Sequence, residues 1–347
     1  MGSGSSVKRE RLHQITNTLP SFEVDSRNEQ AACMLWSERL GRLLWVDQEG
    51  RKLFLYDPED DQQESNLTVL NLQHRPFCFG FVRHCHDTIL AVALEFGVTL
   101  LDLQTFAYVP SPLAEFEPED TSTFPNGGRT DKSGHFVVVG AAELWGMDGP
   151  CRGQTSSLHA LGRDGVFKRL TDAEPWGDFR KGDGLCFAKD GITMYATDWP
   201  GRVLKRFQYD HATRSVVGPG STFFKSTDSS RGYLTGAVTD SQHHVWVAHW
   251  GGGRVLRLSP NGECVLEVEV PEPFPSTLCF GTSALDVLYI GASSIELSSF
   301  DKRKRKNSGS VYSISMQSLG LTCKGLPEHR FFLNFELLAR QKRLLVL

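Results

Sequence analysis

A two-strand unit recurs along the chain, and no other feature limits its fold as strongly. LLWVDQEGRKLFLYDP (43–58), ILAVALEFGVTLLDL (89–103), TMYATDWPGRVLKRFQYD (193–210) and HVWVAHWGGGRVLRLSP (244–260) share one plan. Each has a β-branched or aromatic run, a tight turn, and a second strand that closes near Asp-Pro or a similar corner. FVVVGAAELWG (136–146) and VLYIGAS (287–293), the latter followed by GSVYSISM (309–316), supply two more. With Trp45, Ala91, Val137, Tyr195, Trp246 and Tyr289 as anchors, the steps are 46, 46, 58, 51 and 43 residues. One four-stranded sheet per repeat of about that length is the signature of a β-propeller. Six units fill the chain, so the expected fold class is all-β: one six-bladed β-propeller with a central small-molecule pocket.

The propeller is expected over residues 21–330, with no second domain. Residues 1–20 read as a flexible start whose first six residues, MGSGSS, look like a cloning remnant; they also fit the loose myristoylation pattern. Residues 331–347 read as an extension docking on the propeller. Its FFLNFELLARQKRLL (331–345) suits either a terminal amphipathic helix or a strand that closes the ring.

Composition narrows the partners. Lys and Arg total 37 against 41 Asp and Glu, a formal net charge of −4, which gives no nucleic-acid footprint. No apolar run approaches a membrane span. The expected partner is a small-molecule substrate, with no nucleic acid and no membrane, for a monomer or homodimer. The N-terminus has no apolar signal region. The eight cysteines are scattered without a CxxC pair, several within apolar strands such as GLCFA and STLCFG. They read as buried free thiols in a reducing compartment, hence a cytoplasmic protein in which the sequon at Asn66 stays silent.

Each unit also has a short strand upstream of its anchor: ACMLW (32–36), FCFGF (77–81), NGGRT (126–130), DGLCF (183–187), TGAVT (235–239) and STLCF (276–280). Innermost propeller strands line the central channel, and their starting residues gather at one mouth. The repeat therefore nominates a ring of Ala32, Phe77, Asn126, Asp183, Thr235 and Ser276. Polar residues are ordinary before a strand, but four at one phase in six repeats point to a shared site. Trp36, Trp199 and Trp250, with Phe77 and Phe124, are candidates for its walls, although blade packing also consumes large aromatics. His249, beside Trp250, is a weaker candidate. A lone buried carboxylate such as Asp183 is expected to hold its proton more tightly than usual and to serve as acid, base or donor.

The same segments carry a family resemblance. MLWSERLGRLLWVD resembles the Trp-containing first blade of the senescence-marker-protein/gluconolactonase/luciferin-regenerating-enzyme family. FPNGGRTDKSGHFVVVG resembles its RFNDGKxDxxGRxxxG element, and GDGLCFAKDGITMYATD its SNGLxWSPDGxxxYxxD element. LTGAVTDSQHHVWVAHWGGGRVLRLSP resembles PDGxxxDxxGxLWVAxxxGGRVxRxDP. The resemblance covers about residues 30–316 and implies a six-bladed, regucalcin-like propeller. It also implies a metal-dependent hydrolase of lactones or phosphotriesters, with a divalent cation at the bottom of the pocket. The family's metal ligands are a Glu before the first-blade Trp, the Asn of SNGL and the Asp of PDG; those positions here are Ala32, Asp183 and Thr235. The pocket Asn is kept as Asn126, while the Arg two residues before it is Phe124 and the following Asp is Gly127.

One carboxylate, one hydroxyl and a methyl make a poor set for calcium or magnesium, which prefer several hard oxygens. The expected function is thus a small-molecule enzyme of specialised metabolism that works without the usual metal site. Cyclisation (pericyclic and hetero-Diels–Alder types included), isomerisation or dehydration of an apolar metabolite held by Asn126, Asp183 and Thr235 fits this reading. Trp36, Ala32, Phe77, Phe124, Trp199, His249, Trp250 and Ser276 would contact the substrate. The alternatives are a lactonase or esterase with a rebuilt cation site, and a binding propeller without catalysis. No cofactor is expected; a loosely held divalent cation such as calcium would have Asp183 and Asn126 as its protein ligands. The basic run DKRKRKN (301–307) reads as a solvated loop near the rim, in position to gate the pocket. GGG at 251–253 lacks the Lys-Ser/Thr and helix of a phosphate loop and reads as a turn.

Overall fold

A computed structural model describes residues 14–60, 66–109, 111–116, 123–142, 157–170, 181–227 and 232–345. The described chain is all-β apart from two helices, Ser299–Lys304 and Phe335–Leu345. Six antiparallel sheets succeed one another as blades. Their innermost strands are Ala31–Ser37, Pro76–Phe81, Thr123–Thr130, Gly182–Phe187, Tyr233–Thr239 and Pro275–Gly281, in blades 1 to 6. In blades 1 to 4 the sheet order follows the chain outward from the axis. The predicted anchors fall on the second strand of each blade. The end of the FVVVGAAELWG segment, Cys151 and the first thirteen residues lie outside the described residues.

The ring is closed by the N-terminal segment. Ser21–Val24 pairs antiparallel with Val311–Ser315 as the outer strand of blade 6. This settles the alternative left open at the other terminus, since Phe335–Leu345 is helical and closes nothing. Gln14–Thr16, assigned from sequence to a flexible start, instead pairs in parallel with Cys264–Glu269 as a fifth strand of blade 5.

The apolar core is divided the way a propeller requires. Six clusters of buried side chains are found, one wedge between each pair of neighbouring blades. Such wedges explain why the second strands read as apolar runs without alternation, because both of their faces are covered. All six second strands, such as Val245–Trp250, are buried through most of their length. The described cysteines are free thiols, most of them buried in these wedges.

At the end of the channel away from the ring, the chain after blade 6 crosses beneath the propeller. Gly325 bridges to Asp240 of blade 5 and bonds Leu285 of blade 6. Phe331 pairs with the Phe81–Arg83 segment of blade 2, and Phe332 bonds Gly134 of blade 3. The docked extension thus begins before residue 331. Arg330 holds the crossing segment to blade 2 through two bonds to the buried Asp87, at 3.2 and 2.9 Å. The final helix then packs Leu337 and Leu338 onto the wedge between blades 2 and 3.

Candidate active site

The site is built by one device used six times. Each inner strand carries one extra residue relative to its neighbour: between Ala32 and Leu35, Pro76 and Cys78, Pro125 and Gly127, Asp183 and Cys186, Leu234 and Ala237, and Pro275 and Thr277. A bulge breaks the alternation of side chains and re-aims them. All six bulges stand at the level of the nominated ring, so this level of the channel is where the inner strands turn side chains inward. Close approach of the strands requires glycine at two of them. A Cβ on Gly184, whose φ is +44°, would collide with Thr235 O, and one on Gly236 would meet Ser276 O at 2.5 Å.

A cavity of about 140 Å³ opens at this level. Ala32, Asn126, Asp183, Thr235 and Ser276 border it, together with Trp199 and Trp250 at its mouth. Five of the six ring positions therefore converge, and their hydrogen bonds show which remain available. Ser276 Oγ donates to Ala31 O at 2.6 Å and accepts from Ser293 Oγ at 2.9 Å, while Ser293 Oγ also accepts from Ala31 N. That chain joins blade 6 to blade 1, so Ser276 is committed to ring closure. Thr235 is buried, and its hydroxyl lies 3.4 and 3.5 Å from the carbonyls of Ala248 and Pro275. Asn126 Nδ2 donates to Gly182 O at 2.7 Å, which orients the amide and leaves Oδ1 without a protein partner among the described residues. Asp183 accepts from Gly184 N through one oxygen, at 2.8 Å.

Asp183 is the chemical centre of this arrangement. Burial deep in the channel raises its carboxyl from the ordinary value to about 6; the Gly184 N–H and the Lys181 charge pull the other way without cancelling the effect. The side chain is still touched by solvent through the cavity. It can therefore exchange a proton near neutral pH, which suits an acid or base in catalysis.

Four predicted contacts are placed elsewhere. Trp36 lies four residues beyond the ring, roughly 13 Å along its strand. It is 3% exposed and stacks on Tyr289 with centroids 6.4 Å apart. Phe77 is fully buried and stacks against Phe124 at 6.2 Å, and neither borders the cavity. His249 precedes Trp250 on one strand, so the two point to opposite faces. Trp250 borders the cavity, whereas His249 is buried against Ser226, with Nε2 3.2 Å from the hydroxyl.

Sequence reasoning also missed residues. Lys181 borders the cavity and places its ammonium 4.1 Å from the centroid of Trp199. Gln30 borders it from the matching position in blade 1. Both stand two residues before a ring position, so extending the repeat by two would have found them. Arg129, three residues after Asn126, forms part of the floor. Ile295 and Glu296 reach the mouth from the long connection in blade 6, whose helix Ser299–Lys304 contains part of the predicted basic loop.

The donors at the ring do not fit a calcium- or magnesium-type ion. Ala32 offers none, Thr235 directs its hydroxyl at backbone carbonyls, and Asp183 is the one carboxylate of the ring. Among the described residues, no three His, Cys, Asp or Glu side chains are grouped to hold a metal.

Comparison with known proteins joins this geometry to a lineage. The chain is 32% identical over 261 residues to a 6-deoxy-6-sulfogluconolactonase of Pseudomonas putida, covering 75% of this chain and 82% of that protein. It is 29% identical over 297 residues to an L-arabinolactonase of Azospirillum brasilense, covering 86% and 92%. The crystal structure of a calcium-binding regucalcin from Agrobacterium tumefaciens superposes with a TM-score of 0.78 at 20% identity, covering 92% of this chain and 99% of that one. The SMP-30/Gluconolactonase/LRE-like region matches residues 31–294, through all six inner strands that shape the cavity, and the chain belongs to that family.

Proposed function

We propose that the protein is an enzyme of small cyclic esters, opening a lactone ring with Asp183 as the general base. The observation that carries this is the one carboxylate of the ring, Asp183, tied by one oxygen to Gly184 N and raised to about 6 by burial. In the forward step, Asp183 takes a proton from water as the water oxygen attacks the lactone carbonyl carbon. The ring C–O bond then breaks, and the proton passes to the departing ring oxygen to give the hydroxy acid. Asn126 Oδ1, held by the bond from Nδ2 to Gly182, accepts from water or a substrate hydroxyl. Trp199 and Trp250 cover the substrate's apolar face at the mouth. The two lactonase relatives support the substrate class. The free thiols fit a reducing compartment.

A second reading is favoured by the apolar character of the walls, where Ala32, Met34, Leu185, Ala237 and Leu278 face the cavity. In it, Asp183 in its acid form assists cyclisation, isomerisation or dehydration of an apolar metabolite. One experiment separates the two. Ring opening of five- and six-membered lactones is followed in a pH-stat, with and without chelator, for wild type and Asp183→Asn. The lactone reading expects kcat/KM to rise through pH of about 6, to withstand chelation, and to fall at least a hundredfold in the variant. Loss of turnover on chelation, restored by added calcium, would return the reaction to a cation. Conversion of apolar precursors with every lactone untouched would favour the second reading.

A further inference from the structure

Arg129 occupies an unusual place in the channel. It projects from the inner strand of blade 3 and borders both the cavity at the ring and a second one of about 240 Å³ on the far side. Cys33 of blade 1, Cys186 of blade 4 and Cys279 of blade 6 are near enough to feel its charge, which puts the guanidinium at the axis. Burial pushes the Cys33 and Cys186 thiols up to about 12 and the Cys279 thiol well above its ordinary value, so none of them opposes that charge as a thiolate. The opposing carboxylate comes from the crossing segment. Glu328 accepts from Arg129 Nε at 2.9 Å and, through its other oxygen, from Nη2. Both side chains are largely buried, at 16% and 10% exposed.

The pairing consumes one edge of the guanidinium, Nε and Nη2. The Nη1 group has no hydrogen bond to the protein among the described residues, and it is not among the buried polar atoms left without a partner. Its two N–H donors are left outside the pairing, on a side chain that borders the ring cavity as well as the far one. A guanidinium held on one edge by a carboxylate presents donors on the other while its charge is already neutralised.

We infer that this outer edge of Arg129 is the anchor for a neutral substrate oxygen, such as a lactone carbonyl or ring-adjacent hydroxyl, and that Glu328 acts as the positioning residue. The inference deepens the lactone reading and rests on it for the choice of ligand. Glu328 aims the donors and cancels the charge that would otherwise hold a carboxylate. This anchor, unlike the Lys181 ammonium at the mouth, therefore favours the closed ring over the hydroxy acid made by opening it. A segment more than 190 residues away in sequence from Arg129 thereby sets the selectivity of the pocket.

The test is a binding measurement that needs no turnover. Isothermal titration compares a stable five-membered aldonolactone with its ring-opened aldonate on wild type, Glu328→Gln, Glu328→Asp and Arg129→Gln. Wild type is expected to prefer the lactone. Glu328→Gln leaves the guanidinium charge unopposed and should shift the affinity ratio at least tenfold toward the aldonate. Glu328→Asp keeps the charge and should keep the wild-type ratio, even where its melting temperature falls. Arg129→Gln should weaken lactone binding about tenfold without any gain for the aldonate. An unchanged ratio in a folded Glu328→Gln protein overturns the inference, as does failure of all four proteins to bind either compound. If wild type opens no lactone but the ratio still switches, the proposed reaction fails while the anchor stands. If lactones are opened but the ratio does not switch, the anchor alone is wrong.

Discussion

The two ends of the central channel are made from the same six strands, yet they treat polar groups in opposite ways. At the far end the crossing segment satisfies most of what it meets: Arg330 with Asp87, the Nε–Nη2 edge of Arg129 with Glu328, and the backbone of Phe331 with blade 2. At the ring, Asn126 keeps Oδ1 and Asp183 keeps an oxygen toward the cavity. Buried polar groups are normally paired, so the end that leaves acceptors open is the end shaped for a ligand. The far end is a closure.

The sharpest way to break this contrast is to damage the closure. Phe331 is fully buried, 6.3 Å from the ring of Phe136 and within the wedge between blades 2 and 3. Phe331→Ala is expected to cost about 3–5 kcal/mol of stability, from lost burial and the cavity left behind. Chemical denaturation measures it. The folded fraction should keep kcat within a few-fold, because Asp183 and Asn126 are held by blades 3 and 4. A hundredfold loss of kcat at unchanged stability would mean that the closure takes part in the chemistry.

The next effect comes from the ring itself. Asp183 has a folded pKa of about 6, above its unfolded value near 3.8. Its folded state therefore favours the proton. The associated stability is present below the unfolded value and is lost as pH rises through about 6. Asp183→Asn removes that loss and should stabilise the protein by about 3 kcal/mol at pH 8, with little difference at pH 4. Gains of stability on removing a polar group mark sites kept for function. Melting temperatures of both proteins across pH 4–8 check the sign, and a destabilised variant at pH 8 would make Asp183 a structural residue.

How much of this could be read in the sequence depends on the range of the interaction involved. The blades were legible because each is local: anchors such as Trp45 and Trp246 recur at a period that a four-stranded sheet imposes. The ring was legible too, as a phase within that period, and Asp183 and Asn126 do meet at one cavity. Direction and depth were harder. Trp36 and His249 are near the ring in sequence, but strand rise carries one away and side-chain alternation turns the other outward. Least legible were contacts between distant segments without any repeat. Ser21–Val24 closing blade 6 and Glu328 reaching Arg129 leave no local pattern, because each is one strand or one side chain meeting a surface assembled elsewhere.

Two tryptophans give the smallest and most direct test of the contrast, since both have a buried indole N–H without a partner among the described residues. Trp199 is half-buried at the mouth, against Tyr233 at 5.0 Å and beneath the Lys181 ammonium. Trp36 is nearly fully buried toward the far end, against Tyr289. Trp199→Ala should raise KM about tenfold with kcat little changed, because a wall residue touches substrate and transition state alike. Trp199→Phe keeps a ring face for both Lys181 and the substrate and should recover most of the loss. Trp36→Phe should instead lower the melting temperature and leave KM where it was, since its ring fills a wedge between blades 6 and 1. If the two substitutions exchange these effects, with KM following Trp36 and stability following Trp199, the working mouth lies at the other end of the channel.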